Sequence, residues 1–135
     1  MTPVLDASVF IAAISPMEQH HRQARLLFDS HPDTSPFLVP ELFRVEVIAA
    51  LARRGEPVEM LDTVDALIQG PRFYGCGLDQ PLINEATRVA RVARLRAYDA
   101  VYVALALTHR EPLFTLDEEV IVRSRISFPE LRVSQ

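Results

Sequence analysis

The sequence predicts an α/β fold in which helices cover both faces of a short, mostly parallel β-sheet. Short apolar runs, which have the length of strands, alternate along the chain with longer helical stretches. Breaks that contain proline or glycine separate these units, and no repeat or low-complexity tract interrupts them. Strands that alternate with helices in this way form parallel sheets that are buried on both sides.

In the N-terminal half, each predicted strand is followed by helical sequence. Ser15-Pro16 and Gly55-Glu56-Pro57 end helices, because proline lacks the amide hydrogen that a helix interior needs. Pro40 is predicted to start a helix, where its fixed φ angle is favourable. The predicted order is strand 4–5, helix 7–14, helix 17–30, strand 37–39, a helix from Pro40 to about Arg54, and helix 58–68.

The C-terminal half continues the alternation and contains the most apolar helix. The predicted order is strand 72–74, helix 82–93, a helix from 99 to about 107, strand 113–115, helix 117–124 and an edge strand at 131–133. The helix over 82–93 has its apolar residues on one side, which is typical of a helix at the surface. The helix that begins at Asp99 has no hydrophilic face and is therefore predicted to be central.

Composition predicts one globular domain that spans residues 1–135. The lone cysteine, Cys76, cannot form an internal disulfide, which favours a reducing, cytoplasmic compartment. The apolar N-terminal stretch contains Asp6 and is too short to cross a bilayer, so no membrane association is expected. The formal net charge is −4, which argues against a general nucleic-acid coat protein.

Four carboxylic acids stand in apolar surroundings, where acids are unusual. Asp6 ends the first strand, and Asp117 follows the fourth strand shortly after its end. Glu46 lies in a helix that is apolar on nearly every side, and Asp99 opens the central helix. Because an ionised carboxylate without a partner is costly to bury, these acids require a counter-charge.

A divalent cation could balance several of these acids at once. Oxygen-only ligands suit a hard ion such as Mg²⁺ or Mn²⁺, whereas zinc prefers histidine or cysteine. Asp6 and Asp117 follow strand C-termini, Asp99 opens a helix, and Glu46 lies early in the helix after the second strand. All four are therefore expected at one edge of the sheet, where ligands bind in α/β proteins.

Each acid also has a purely structural interpretation. Asp6 and Asp99 could be helix N-caps, and Glu46 could pair with an arginine between helices. Asp117 opens an Asp-Glu-Glu run that is typical of capping at a helix start. His20 and His21 are adjacent and cannot share a helix face, so they are assigned no metal role.

Two other classes of protein place acids at strand ends, namely phosphate-receiving signalling domains and haloacid-dehalogenase-type phosphatases. Both normally use a lysine to neutralise phosphate, and the sequence contains no lysine. The second class also requires an aspartate at the position of Ser8. The sequence therefore disfavours both classes.

Several short motifs occur in order along almost the entire chain: Leu5-Asp6-Ala7-Ser8, Glu46-Val47-Ile48-Ala49-Ala50-Leu51, Ala97-Tyr98-Asp99-Ala100 and Phe114-Thr115-Leu116-Asp117. Together they resemble the PIN-domain ribonucleases, and especially the VapC-type toxins of type II toxin–antitoxin systems. This resemblance implies a three-layer α/β/α sandwich, a site for Mg²⁺ or Mn²⁺, and endonucleolytic cleavage of RNA. It also implies a homodimer, with the helix over 58–68 as a contact region, and a cognate antitoxin as partner.

The resemblance further implies roles for individual residues. Ser8 and Thr115 correspond to hydroxyl positions that help to arrange the pocket, and Ala49 departs from relatives that carry asparagine there. The acidic positions of the family, which bind the metal and act in catalysis, correspond to Asp6, Glu46, Asp99 and Asp117. The alternative is a catalytically inactive PIN-like module that binds RNA or protein.

A row of arginines is the candidate RNA contact. Arg88, Arg91 and Arg94 recur on the side of their helix opposite the apolar stripe. Arginines in such a row could contact RNA phosphates, which supply much of the affinity for nucleic acid. A polar face in contact with water is the alternative interpretation.

Overall fold

A five-stranded, entirely parallel sheet forms the centre of the fold. The computed structural model describes residues 1–134. The strands lie in the order β3-β2-β1-β4-β5, so the first strand is central and is flanked by β2 and β4. Their bounds are β1 Val4–Leu5, β2 Phe37–Pro40, β3 Phe73–Cys76, β4 Leu113–Phe114 and β5 Val133–Ser134.

Helices in two groups cover this sheet. α1 packs against α2 and α3, and α3 packs against α4, whereas α5 packs against both α6 and α7. Crossovers between parallel strands are right-handed almost without exception, and with this strand order they place the two groups on opposite faces. The predicted three-layer α/β/α sandwich is therefore confirmed. The helices are α1 Ala7–Ala13, α2 His21–Ser30, α3 Leu42–Arg53, α4 Val58–Ile68, α5 Gln80–Ala93, α6 Ala97–His109 and α7 Glu118–Ser127.

The core contains the elements that the sequence marks as most apolar. Every residue from 100 to 106 of α6 is buried, which confirms that this helix is central. On the α1 side of the sheet, Phe10 contacts the rings of Phe28, Phe43 and Phe73 at centroid distances of 5.2–5.9 Å. None of the helices formed by residues 1–134 combines the length and the apolar character that crossing a membrane would require.

The chain reverses its direction of travel across the sheet at the central strand. From β1 it moves to β2 and β3 on one side, and it then crosses to β4 and β5 on the other side. The carboxyl ends of β1 and β4 therefore form a topological switch point, at which ligands bind in open α/β sheets. Asp6 follows β1 directly, and Thr115 follows β4 directly.

The predicted helix starts at Met17 and Pro40 are wrong. Helix α2 begins at His21 and not at residue 17, because residues 15–21 form turns in which Glu18 N donates to Ser15 O at 2.9 Å. Pro40 does not start a helix, since it is the last residue of β2 and lies opposite Cys76 of β3.

Helix α6 starts earlier than predicted, and this changes the position of Asp99. The N-cap residue is Arg96, so Asp99 lies inside the first turn. The interpretation of Asp99 as an N-cap is therefore wrong. An acid in the first turn still interacts favourably with the positive end of the helix dipole.

Candidate active site

Asp6 lies directly after β1 and is 9% exposed. Its Oδ1 accepts a hydrogen bond from Ser8 N at 3.3 Å, so Asp6 does cap α1. Its Oδ2 accepts a hydrogen bond from the hydroxyl of Thr115 at 2.8 Å. Burial nevertheless raises the pKa of Asp6 above its usual value, and the charge of Asp117 raises it further. Capping therefore leaves part of the cost of burying this charge uncompensated.

Thr115 connects two of the candidate acids. Its fully buried hydroxyl donates to Asp6 and accepts a hydrogen bond from Asp117 N at 3.1 Å. Asp117 is the N-cap of α7, and its Oδ1 accepts hydrogen bonds from Glu119 N at 2.9 Å and Val120 N at 3.2 Å. Asp117 thus caps α7, and Thr115 links this cap to Asp6. The Oδ2 atom of Asp117 has no part in the two capping hydrogen bonds.

Glu46 lies on α3, in the helical layer on the other side of the sheet from α6 and α7, and reaches the same edge. Its Oε1 accepts a hydrogen bond from the Tyr102 hydroxyl at 2.9 Å, so its partner is a tyrosine and not the arginine considered above. Burial raises the pKa of Glu46 to about 7, the charges of Asp6 and Asp99 raise it as well, and the tyrosine hydrogen bond lowers it. At neutral pH this carboxyl group is therefore partly protonated in the metal-free protein.

Asp99 completes the acidic group from α6. Burial raises the pKa of Asp99 to about 6, and the charges of Asp6, Asp117 and Glu119 raise it further. Arg96, the N-cap of the same helix, opposes this shift. The four acids thus interact electrostatically at one edge of the sheet, although they come from two helical layers and two strand ends.

Sequence reasoning missed two residues of this region, Tyr102 and Glu119. Tyr102 is 2% exposed, and burial together with the charge of Glu46 raises its pKa, so the hydroxyl keeps its proton. The spacing from Asp99 to Tyr102 was the available signal, because residues three apart share a helix face. Glu119 follows Asp117 after one residue, within the run that suggested capping alone.

The donor chemistry of the acids suits a hard cation, but the carboxylates are not closed around one point. Among residues 1–134, no group of three or more histidine, cysteine, aspartate or glutamate side chains is arranged to hold a metal ion. All the candidate donors are nevertheless oxygen atoms, which Mg²⁺ and Mn²⁺ prefer. Burial is the largest cause of the raised pKa values of Glu46 and Asp99, and repulsion by the neighbouring acids adds to it. A bound cation would offset this repulsion.

The remaining predicted residues lie in different surroundings. Ser8 is exposed and lines a groove together with Asp117. Arg88 pairs with Glu85 and lies over the ring of Phe128, with its guanidinium carbon 5.4 Å from the ring centroid. Arg91 and Arg94 are exposed, but α5 ends at Ala93 and Arg94 is its C-cap with a positive φ of 56°. The predicted row therefore does not continue along the helix to Arg94. The arginine that affects the pKa of Asp99 is Arg96, which the predicted row does not include.

The family model of the PIN domain matches residues 4–125. The chain belongs to the PIN domain family. The match covers every strand of this PIN domain except β5 and includes all four candidate acids. The predicted family resemblance is therefore confirmed. A search of curated protein sequences returned no match.

Solved structures with the same fold include a toxin and a chain of a toxin–antitoxin complex. The PIN domain described here is similar to VapC20 of Mycobacterium tuberculosis, a toxin that cleaves the sarcin–ricin loop, with a TM-score of 0.76 and 18% identity over 97% of this chain and 99% of that one. It is also similar to a chain of a toxin–antitoxin complex from Klebsiella pneumoniae, with a TM-score of 0.73 and 15% identity over 99% and 97% of the two chains. FitAcB from Neisseria gonorrhoeae gives a TM-score of 0.74 and 14% identity over 99% and 97%. At these identities the likeness concerns the fold.

Proposed function

We propose that this PIN domain is a metal-dependent endoribonuclease that hydrolyses RNA phosphodiester bonds, with Mg²⁺ or Mn²⁺ as its cofactor. The observation that carries the proposal is the convergence of Asp6, Glu46, Asp99 and Asp117 at the switch point of the sheet, with raised pKa values for three of them. Perturbed acids in a cluster are typical of functional sites. Membership of the PIN domain family supports the same chemistry.

Asp6 and Asp99 are the proposed principal ligands of the cation, and Glu46 and Asp117 are direct or water-mediated ligands. A bound divalent cation supplies an activated water and neutralises negative charge that develops on the phosphate. Thr115 holds Asp6 through its hydroxyl, and Tyr102 holds Glu46. Glu46, which Tyr102 holds at the same edge of the sheet as Asp6 and Asp99, is the proposed acceptor of the proton that the attacking water loses.

The enzymatic proposal is tested with purified protein, labelled RNA and Mg²⁺ or Mn²⁺. The wild type should cleave the RNA, EDTA should stop cleavage, and Asp6→Asn should reduce the rate by about two orders of magnitude or more, because it removes a ligand charge. Asp29→Asn is the matched control, since Asp29 is an exposed aspartate of α2. Cleavage that survives both EDTA and Asp6→Asn would contradict the proposal.

We further propose that the protein is the toxin of a toxin–antitoxin pair that acts on RNA in the cytoplasm. The likeness in fold to chains of toxin–antitoxin complexes supports an antitoxin as partner. Expression of the wild type without an antitoxin should arrest growth, and expression of Asp99→Asn to the same level should not. Equal growth in the two cultures would exclude the toxin role while leaving the nuclease assay unaffected.

A homodimer is proposed through the surface between α3 and α4. A groove of about 600 Å³ lies between these helices, and Val45 and Val58 on its walls are 63% and 66% exposed. Ile48 and Leu61 contribute further apolar surface to the same groove. Apolar side chains exposed together mark surfaces that bind other proteins. Val58 and Leu61 belong to α4, the helix that the family resemblance implies as a contact region.

The second candidate is an inactive module that binds RNA or protein without cleavage. It is favoured by the open arrangement of the carboxylates, since no group of three among residues 1–134 is closed around a metal position. The raised pKa values of Glu46 and Asp99 favour the enzyme, because a binding module gains nothing from burying acids that repel one another. RNA that is bound but never cleaved in the presence of either metal would select the module.

A further inference from the structure

A groove of about 300 Å³ adjoins the candidate active site, and the side chain of Arg54 lies in it. Two residues of the site, Ser8 and Asp117, line it. The other walls come from α1, from the turns that precede α2, and from the end of α3. Its remaining side chains are Ile11, Glu18, His20 and Arg54, together with smaller contributions from α1 and Leu116.

Arg54 is held in this groove by two side chains of the turn region. Its guanidinium forms an ion pair with Glu18 and donates a hydrogen bond to Ser15 Oγ at 3.3 Å. Both members of the pair remain partly in contact with water, with side-chain exposures of 38% for Arg54 and 34% for Glu18. Ion pairs that water can reach contribute little to stability, so Arg54 can exchange Glu18 for another anion.

We propose that this groove binds a phosphate group of the RNA strand next to the scissile bond, with Arg54 as the phosphate contact and Glu18 as the anion that the phosphate displaces. The inference rests on the proposed ribonuclease function. A guanidinium offers parallel N–H donors to two phosphate oxygens, which suits phosphate better than a single carboxylate oxygen. Arg54 also offsets the repulsion that the neighbouring acids exert on RNA.

If a phosphate displaces Glu18 from Arg54, substitutions of these two residues should change RNA affinity in opposite directions. Arg54→Gln should weaken RNA binding by roughly threefold to tenfold and reduce the salt dependence by about one phosphate contact. Glu18→Gln should strengthen binding by roughly twofold to fivefold, because the phosphate no longer competes with a carboxylate. The double variant should bind as weakly as Arg54→Gln alone, since Glu18 acts only through Arg54.

Binding is measured by fluorescence anisotropy with a fluorescein-labelled single-stranded RNA of random sequence. Every variant carries Asp99→Asn, which the proposed function predicts to be deficient in cleavage. The matched control is the exposed Arg25–Asp29 pair of α2, with Arg25→Gln and Asp29→Asn tested alongside. The control pair undergoes the same changes of net charge outside the groove. Thermal melting of each protein verifies that it is folded.

The outcomes separate the groove from the proposed function. Opposite signs at Arg54 and Glu18, with smaller effects at Arg25 and Asp29, support the phosphate site. Equal effects in the two pairs, or weaker binding for Glu18→Gln, overturn it. If the wild type cleaves RNA with Mg²⁺ while Arg54→Gln changes neither RNA binding nor its salt dependence, the proposed phosphate site is wrong and the proposed ribonuclease function is unaffected. Failure of the wild type to cleave RNA with either metal removes the proposed function itself.

Discussion

Tyr102 connects α6 to α3 through one hydrogen bond that ends on a candidate metal ligand. The hydroxyl donates to Glu46 at 2.9 Å, and burial prevents the side chain from moving away. Mutation of a group that holds a metal ligand in place typically lowers metal affinity by about 10-fold to 100-fold. The same helix places Asp99 and Tyr102 on one face, so a single element supplies both an acid and the group that orients another acid.

Tyr102→Phe should therefore weaken the binding of Mn²⁺ by about tenfold, because Glu46 loses its donor while the ring still fills the core. Calorimetric titration of the metal-free protein with Mn²⁺ measures the effect without relying on activity. Tyr98→Phe is the matched control, since Tyr98 lies on the same helix and is 55% exposed.

A double-mutant cycle with Glu46→Gln tests whether the effect passes through this carboxylate. In the Glu46→Gln background, the additional change of Tyr102 should cause no further loss of Mn²⁺ affinity. An equal loss in both backgrounds would show that Tyr102 acts on the fold and not on Glu46.

Periodicity predicted the order and type of the helices and strands, and it failed where local hydrogen bonds decide. The apolar run of α6 and the one-sided pattern of α5 were read correctly, because burial alone fixes both. The starts of α2 and α6 were predicted wrongly, because they depend on backbone geometry, namely the turns after Pro16 and the N-cap at Arg96. Pro40 was misread because proline tolerates both helix starts and strand ends.

The candidate site was predictable for a related reason. Acids at strand ends or in apolar helices are visible in the sequence, and a parallel sheet brings them to one edge. Tyr102 was not recognised, because a tyrosine in an apolar helix resembles any other core residue. The pairing of Arg54 with Glu18 was also not predictable from the sequence, since the two residues are 36 positions apart along the chain.

The surface between α3 and α4 makes the proposed homodimer testable. Val58→Asp places a charge on the apolar groove, where Val58 is 66% exposed, and should convert a dimer to a monomer while leaving the fold intact. Sedimentation velocity of the wild type and the variant measures the change. Val122→Asp is the control, because Val122 is half exposed on α7. A wild type that is monomeric at high concentration would contradict the homodimer.

Charge is unevenly distributed over the protein, and this links its stability to pH and metal. The acids at the switch point repel one another, and burial raises the pKa of Glu46 to about 7 and that of Asp99 to about 6. In the pH range between the usual pKa values of free carboxyl groups and these raised values, the folded state therefore binds more protons than the unfolded state. Stability must fall as pH rises through this window, since protons that favour the folded state are lost.

The metal-free protein should accordingly lose on the order of 2 kcal/mol of unfolding free energy between about pH 4 and about pH 7, after allowance for partial exposure of both acids. Urea denaturation in EDTA measures this loss. Added Mg²⁺ or Mn²⁺ should restore stability mainly above the window, because the cation binds the deprotonated acids. Glu46→Gln should flatten the pH dependence, and NaCl at matched ionic strength controls for screening. Stability that rises with pH in EDTA would contradict the raised pKa values of Glu46 and Asp99. A metal effect that is equal on both sides of the window would show that these acids do not share a cation.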